Sequence, residues 1–166
     1  SIGPEYSECL TTRFASLKHG PLTNLDIQWD TGPSSGVLLG TARLGERVQP
    51  FTLILKSFGS NALVRCISPV GRIGLEDDTD SGIANSISRF VKIGAIVTKE
   101  ERTYDLTVEG DVLLAQNIDT DCFRVGMLVE HVVRQADVLE QQNLPGHDEP
   151  LDTFRDELIQ ESNRGR

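Results

Sequence analysis

Hydrophobic residues recur along this chain with two periods, and the switches between them mark its elements. Tyr6, Leu10, Phe14 and Leu17 stand three or four apart, flanked by Cys9 and Arg13, and predict an amphipathic helix over Glu5–Lys18. Pro4 suits a first helical turn, where its missing N–H costs nothing, and Gly20-Pro21 stops the segment.

The period then changes to two. In Asn24–Trp29, Leu25, Ile27 and Trp29 alternate with Asp26 and Gln28, which predicts a strand. Thr31–Gly36 has loop composition, Val37–Leu44 reads as a second strand, and Gly45-Glu46-Arg47 as the connection to Val48–Ser57. There Phe51, Leu53 and Leu55 alternate with Thr52, Ile54 and Lys56. Gly59-Ser60-Asn61 is a turn, and Ala62–Ser68 a further strand. Closely spaced strands with short polar turns predict an antiparallel meander.

Pro69–Asp80 reads as irregular and ends in the acidic run Glu76-Asp77-Asp78-Thr79-Asp80. Ile83, Ile87 and Phe90 give the next stretch a short helical stripe, capped by Asp80 or Ser81 and ended by Gly94. Ala95–Thr98 and Thr103–Ala115 predict a strand pair across Lys99–Arg102, with Tyr104, Leu106 and Val108 on one face and Gly110-Asp111 as a bulge or bend. The last main helix, Asp121–Gln142, takes Asp119 or Asp121 as its cap. Val125, Leu128, Val132, Ala136 and Leu139 form its stripe, which Phe123, Met127, Val129 and Val133 widen beyond what one face needs. After Pro145-Gly146, Glu149–Glu161 predicts a short acidic helix docked by Leu151, Phe154 and Leu158. The fold class is thus α+β, an antiparallel sheet with helices packed on one face. One domain spans 1–144, and an acidic tail spans 145–166.

Composition narrows the functional classes. The 166 residues carry a net charge of −9 and are 38% hydrophobic and 25% charged, ordinary globular values. An acidic chain lacks the basic face that nucleic acid or anionic lipid demands. No apolar run approaches the length of a membrane span, and no charged start followed by an apolar stretch marks a signal peptide. Cys9, Cys66 and Cys122 are isolated and odd in number, as reduced thiols in a cytosol-like compartment would be.

Candidate chemistry is sparse. Glu76–Asp80 lacks the alternate oxygens, central glycine and distant glutamate of a calcium loop, so it reads as a solvated loop. Gly71-Arg72-Ile73-Gly74 has the form of an RNA-clamping loop, but without basic surroundings it reads as an ordinary turn. Cys66 or Cys122 with His131 lacks the spacing or the orienting third group of a thiol–imidazole pair. His19 and His147 sit beside glycines in loops. Trp29 is read as core or as a half-covered sheet face in preference to a ligand platform. No catalytic, cofactor-binding or metal-binding residue is assigned. The wide apolar surface of the last helix, with Val125, Val129, Val132, Val133 and Ala136, either covers the sheet or packs on a second copy or partner; the pattern does not separate the two.

Leu63-Val64-Arg65-Cys66-Ile67-Ser68-Pro69, Lys92-Ile93-Gly94-Ala95-Ile96, Tyr104-Asp105-Leu106-Thr107-Val108-Glu109-Gly110-Asp111-Val112-Leu113-Leu114, and Gln135-Ala136-Asp137-Val138-Leu139-Glu140 together resemble the YbjN-like family. Within it they are nearest to a cyanobacterial and plastid group of undescribed function. These small proteins are related in fold to type III secretion chaperones. The resemblance covers Tyr6 to Pro150 and implies a helix, a run of antiparallel strands, a second helix, two strands and a final helix, often as a homodimer. This chain carries one strand more before its second helix, and the tail after Pro145 is additional, so no client groove or individual residue carries over. The expectation is a non-enzymatic protein-binding module, chaperone-like or adaptor, in the cytoplasm or plastid stroma. Its partners would be a protein client and a second copy, with no cofactor, nucleic acid or membrane. The alternatives are a regulatory domain sensing a small apolar ligand between sheet and helix, and an enzyme with unrecognised chemistry.

Overall fold

A computed structural model describes residues 4–16, 25–30, 36–74, 92–98 and 103–143. The elements are α1 (Pro4–Ala15), β1 (Asp26–Trp29), β2 (Val37–Leu44), β3 (Arg47–Phe58), β4 (Asn61–Gly74), β5 (Lys92–Thr98), β6 (Thr103–Leu113) and α2 (Ile118–Asn143). The strands form one six-stranded sheet in the order β1-β2-β3-β4-β6-β5, every neighbouring pair antiparallel. The α+β class and the helices packing on the sheet follow the hydrophobic pattern. The expectations at Glu76–Asp80, the Ile83–Phe90 stripe, Lys99–Arg102, the Glu149–Glu161 helix, His19 and His147 fall outside the described residues.

One sheet face and both helices share a single core. Leu38, Phe51, Leu53, Val64, Cys66, Leu106 and Val108 supply the strand side. Leu10 and Phe14 of α1, and Val125, Val129, Val132, Val133, Ala136 and Leu139 of α2, supply the helix side. The other face is not polar throughout: Val37, Ile54 and Ile67 on it are 2%, 3% and 4% exposed. Burial on both faces accounts for the unbroken buried run Phe51-Thr52-Leu53-Ile54, where alternating burial would mark a half-solvated strand.

Turn chemistry sets the meander. Leu44 pairs with Arg47, so the β2–β3 turn has two residues, and Gly45 takes a φ of 67° that other residues resist. On β2, Gly40 lies under the ring of Phe51; a Cβ there would stand 2.6 Å from Phe51 Cζ. Trp29, opposite Gly40 on β1, meets the same ring edge-on at 5.4 Å and 81°. Three strands are thereby locked by one aromatic stack over a bare backbone.

Several boundaries differ from the sequence reading. β4 does not stop at Ser68. It continues through Gly74, so Gly71–Gly74 is strand rather than turn. Val70 is buried in the core, and a register shift between Pro69 and Gly71 lets β4 keep pairing with β6. The irregularity predicted at Gly110-Asp111 therefore sits across the ladder, while Gly110 pairs regularly with Cys66. Gly94 lies inside β5, which begins at Lys92, instead of ending a helix. α2 begins at Ile118, three residues early, because Asn117 Oδ1 caps it by accepting from Thr120 N at 3.1 Å.

The sheet is forked. β3 and β4 are laddered from Thr52/Ile67 to Phe58/Asn61 and no further. Two steps on in that register Pro50 would face Pro69, and neither has an N–H to give. Buried side chains take over. Ser68 Oγ donates to the Pro50 carbonyl at 2.6 Å, and Gln49 Nε2 donates to the Pro69 carbonyl at 2.6 Å and to Ser68 Oγ at 2.8 Å. Gln49 and Ser68 are 1% and 0% exposed, so these bonds satisfy groups that water does not reach.

Candidate interaction surface

β1 is one of the two edge strands, β5 being the other, and among the described residues no strand pairs with β1 on the side away from β2. The N–H of Asp30 donates to the Leu39 carbonyl at 2.9 Å, which marks that pair as hydrogen-bonded. Antiparallel ladders alternate. Gln28 and Asp26 therefore turn their main-chain groups toward β2, and Ile27, only 5% exposed as a whole residue, turns its own away from β2.

A groove of about 620 Å³ runs beside this edge. Asp26, Ile27, Gln28 and Trp29 of β1 line it, with Thr41 and Arg43 of β2 and Val48 of β3, and Asp26 stands opposite Arg43 in the ladder. Its walls are mixed: Val48 is 55% exposed for an apolar side chain, Trp29 is half-buried, and Arg43 brings a cation. Ala15, the last residue of α1, closes one end. The space between α1 and the sheet, bounded by Phe14, Leu38, Leu53 and Val64, is by contrast only about 10 Å³. That is no more than one water occupies.

The two ends of α2 are tied down by polar contacts. At its start Asp121, fully buried, accepts from Ala115 N at 2.8 Å and from the Tyr6 hydroxyl. Burial, and then the hydrogen bond and charge of Asp121, push the Tyr6 phenol well above its usual range. Asp121, one of the two expected caps, thus joins α1 and the β6–α2 connection to the start of α2. Asp119, the other, pairs with Arg13 at 3.0 Å in the open. Near the end of α2, Arg47 Nε donates to Asp137 Oδ1 at 2.6 Å, and Gln141 Nε2 donates to the other oxygen at 2.7 Å.

The sequence-selected residues fall differently. Val125, Val129, Val132, Val133 and Ala136 are 0–2% exposed within one chain. Within one chain their width packs against the sheet and α1, the first of the two readings that the pattern left open. The large apolar residues of α2 that are exposed are Phe123 and Val138. Leu151, Phe154 and Leu158 lie outside the described residues. Cys66 is fully buried in β4, and burial pushes its thiol far up, whereas His131 is exposed. Among the described residues no three His, Cys, Asp or Glu side chains are placed to hold a metal ion. No helix among them is long and apolar enough to cross a membrane. Trp29 was legible as a half-covered residue; Arg43 and Val48 were not, because an edge position is a property of strand order.

No family model matches the chain, and no curated protein matches it.

Proposed function

We propose that the protein is a non-enzymatic binding module, chaperone-like or adaptor in kind, that takes an extended segment of a partner protein along β1. The observation that carries this reading is a groove with apolar and charged walls beside β1, a strand that no described strand pairs on its outer side. An added strand gains main-chain hydrogen bonds at such an edge, and alternate side chains read the groove. Trp29 and Val48 would receive apolar side chains, and Arg43 an acidic one. The resemblance to chaperone-like proteins supports the same class. A homodimer must use surfaces other than the sheet-facing stripe of α2.

Peptides selected for binding from a displayed random library test this. The expected winners are extended segments that slow amide exchange at Ile27 and weaken severalfold against Arg43→Glu. Selection of peptides that bind Arg43→Glu and the native chain equally would reject the site.

A further inference from the structure

Two of the three thiols lie on the two elements that join where α1 packs beside the start of α2. On α1, Tyr6, Cys9 and Arg13 are spaced three and four apart and share one side of the helix. The outer two both reach the first turns of α2: the Tyr6 hydroxyl donates to Asp121, and Arg13 Nη2 donates to Asp119 Oδ1 at 3.0 Å. Cys9 stands between these cross-links, and Cys122 stands on the turn that they grip. Cys9 is exposed, Cys122 half-buried and Cys66 fully buried.

We propose that Cys9 and Cys122 form a reversible disulfide, made by an oxidant of the peroxide class, that clamps α1 to the start of α2. Cys9, open to solvent, meets the oxidant first. Its thiolate sulfur attacks a peroxide oxygen, the O–O bond breaks, and a sulfenic acid forms as water leaves. The Cys122 sulfur then attacks the Cys9 sulfur, the S–O bond breaks, and the departing hydroxide takes the Cys122 proton and leaves as water. Two thiols and one hydrogen peroxide become one disulfide and two waters; a small dithiol reverses the reaction.

The electrostatics fit this division of labour. Burial first, and then Asp119, Asp121 and Cys9, raise the Cys122 thiol against the lowering effect of Arg13, which holds Cys122 back from meeting the oxidant itself. Because Ala15 closes one end of the β1 groove, a clamp on α1 also fixes that end.

The full chain, reduced and then treated with a few equivalents of hydrogen peroxide, provides the test. The expected product has lost two hydrogens by intact mass, and Cys9 and Cys122 no longer react with a thiol reagent. Digestion should yield one peptide linked through them. Its Tm should rise by about 5 °C or more and return on reduction. Cys66→Ser should still form the product; Cys9→Ser and Cys122→Ser should not. Oxygen adducts on Cys9, or a chain-to-chain Cys9 disulfide, with the Cys122 thiol still reactive, would overturn the proposal.

Discussion

The centre of the sheet and its β1 edge solve opposite problems. At the centre, β3 and β4 lose their ladder at Pro50 and Pro69, and the protein closes the gap with a buried glutamine and serine beneath α2. At the edge, β1 keeps an intact ladder to β2 and leaves the main chain of Ile27 turned outward. The centre uses side chains where backbone pairing is impossible; the edge offers backbone where no described strand takes it. Unsatisfied polar groups are tolerable only where water or a partner can reach them. The fork is therefore structural, and the edge is where the proposed binding would take place.

Substitutions can break this contrast, beginning at the centre. Leu139→Ala, at a core side chain of α2 that is 1% exposed, should lower unfolding free energy by about 2–5 kcal/mol in urea titrations. Gly40→Ala drives a methyl to 2.6 Å from Phe51 Cζ and should cost about 1–3 kcal/mol. Its near-ultraviolet circular dichroism should show the Trp29–Phe51 stack displaced. Gln49→Leu keeps the volume but strips the donor from the Pro69 carbonyl, for about 1–3 kcal/mol. If it proves neutral, the side-chain bridge is not what closes the fork.

The smallest effect concerns the α1–α2 junction and depends on pH. The Tyr6 phenol is raised in the folded chain, so the fold keeps a proton that the unfolded chain releases above pH of about 10. The unfolded state binds fewer protons there, and stability falls as pH rises. Tyr6→Phe should remove that part of the alkaline decline while leaving the slope near neutrality unchanged, as read from Tm against pH.

Much of the fold was legible because the pattern that marks each element is also the pattern that buries it. Leu25, Ile27, Phe51, Leu53, Leu106 and Val108 alternate in sequence and meet in one core. The tail of β4 was not legible: Pro69 and two glycines read as a break, and only the register shift and buried Val70 keep the strand going. The width of the α2 stripe was visible, but its purpose depended on the sheet it covers. The groove was the least legible feature. Trp29, Arg43 and Val48 come from three strands, and nothing local to any of them says that β1 is outermost.

Amide hydrogen exchange at Ile27, with and without a library-selected peptide, tests the central claim most directly. The account predicts that this amide exchanges far faster than those of the β3–β4 ladder in the free protein and is slowed at least tenfold by the peptide. The sole tryptophan, Trp29, should change its emission over the same titration. An Ile27 amide already as protected as the ladder in the free chain, or one unchanged by a peptide that binds, would contradict it.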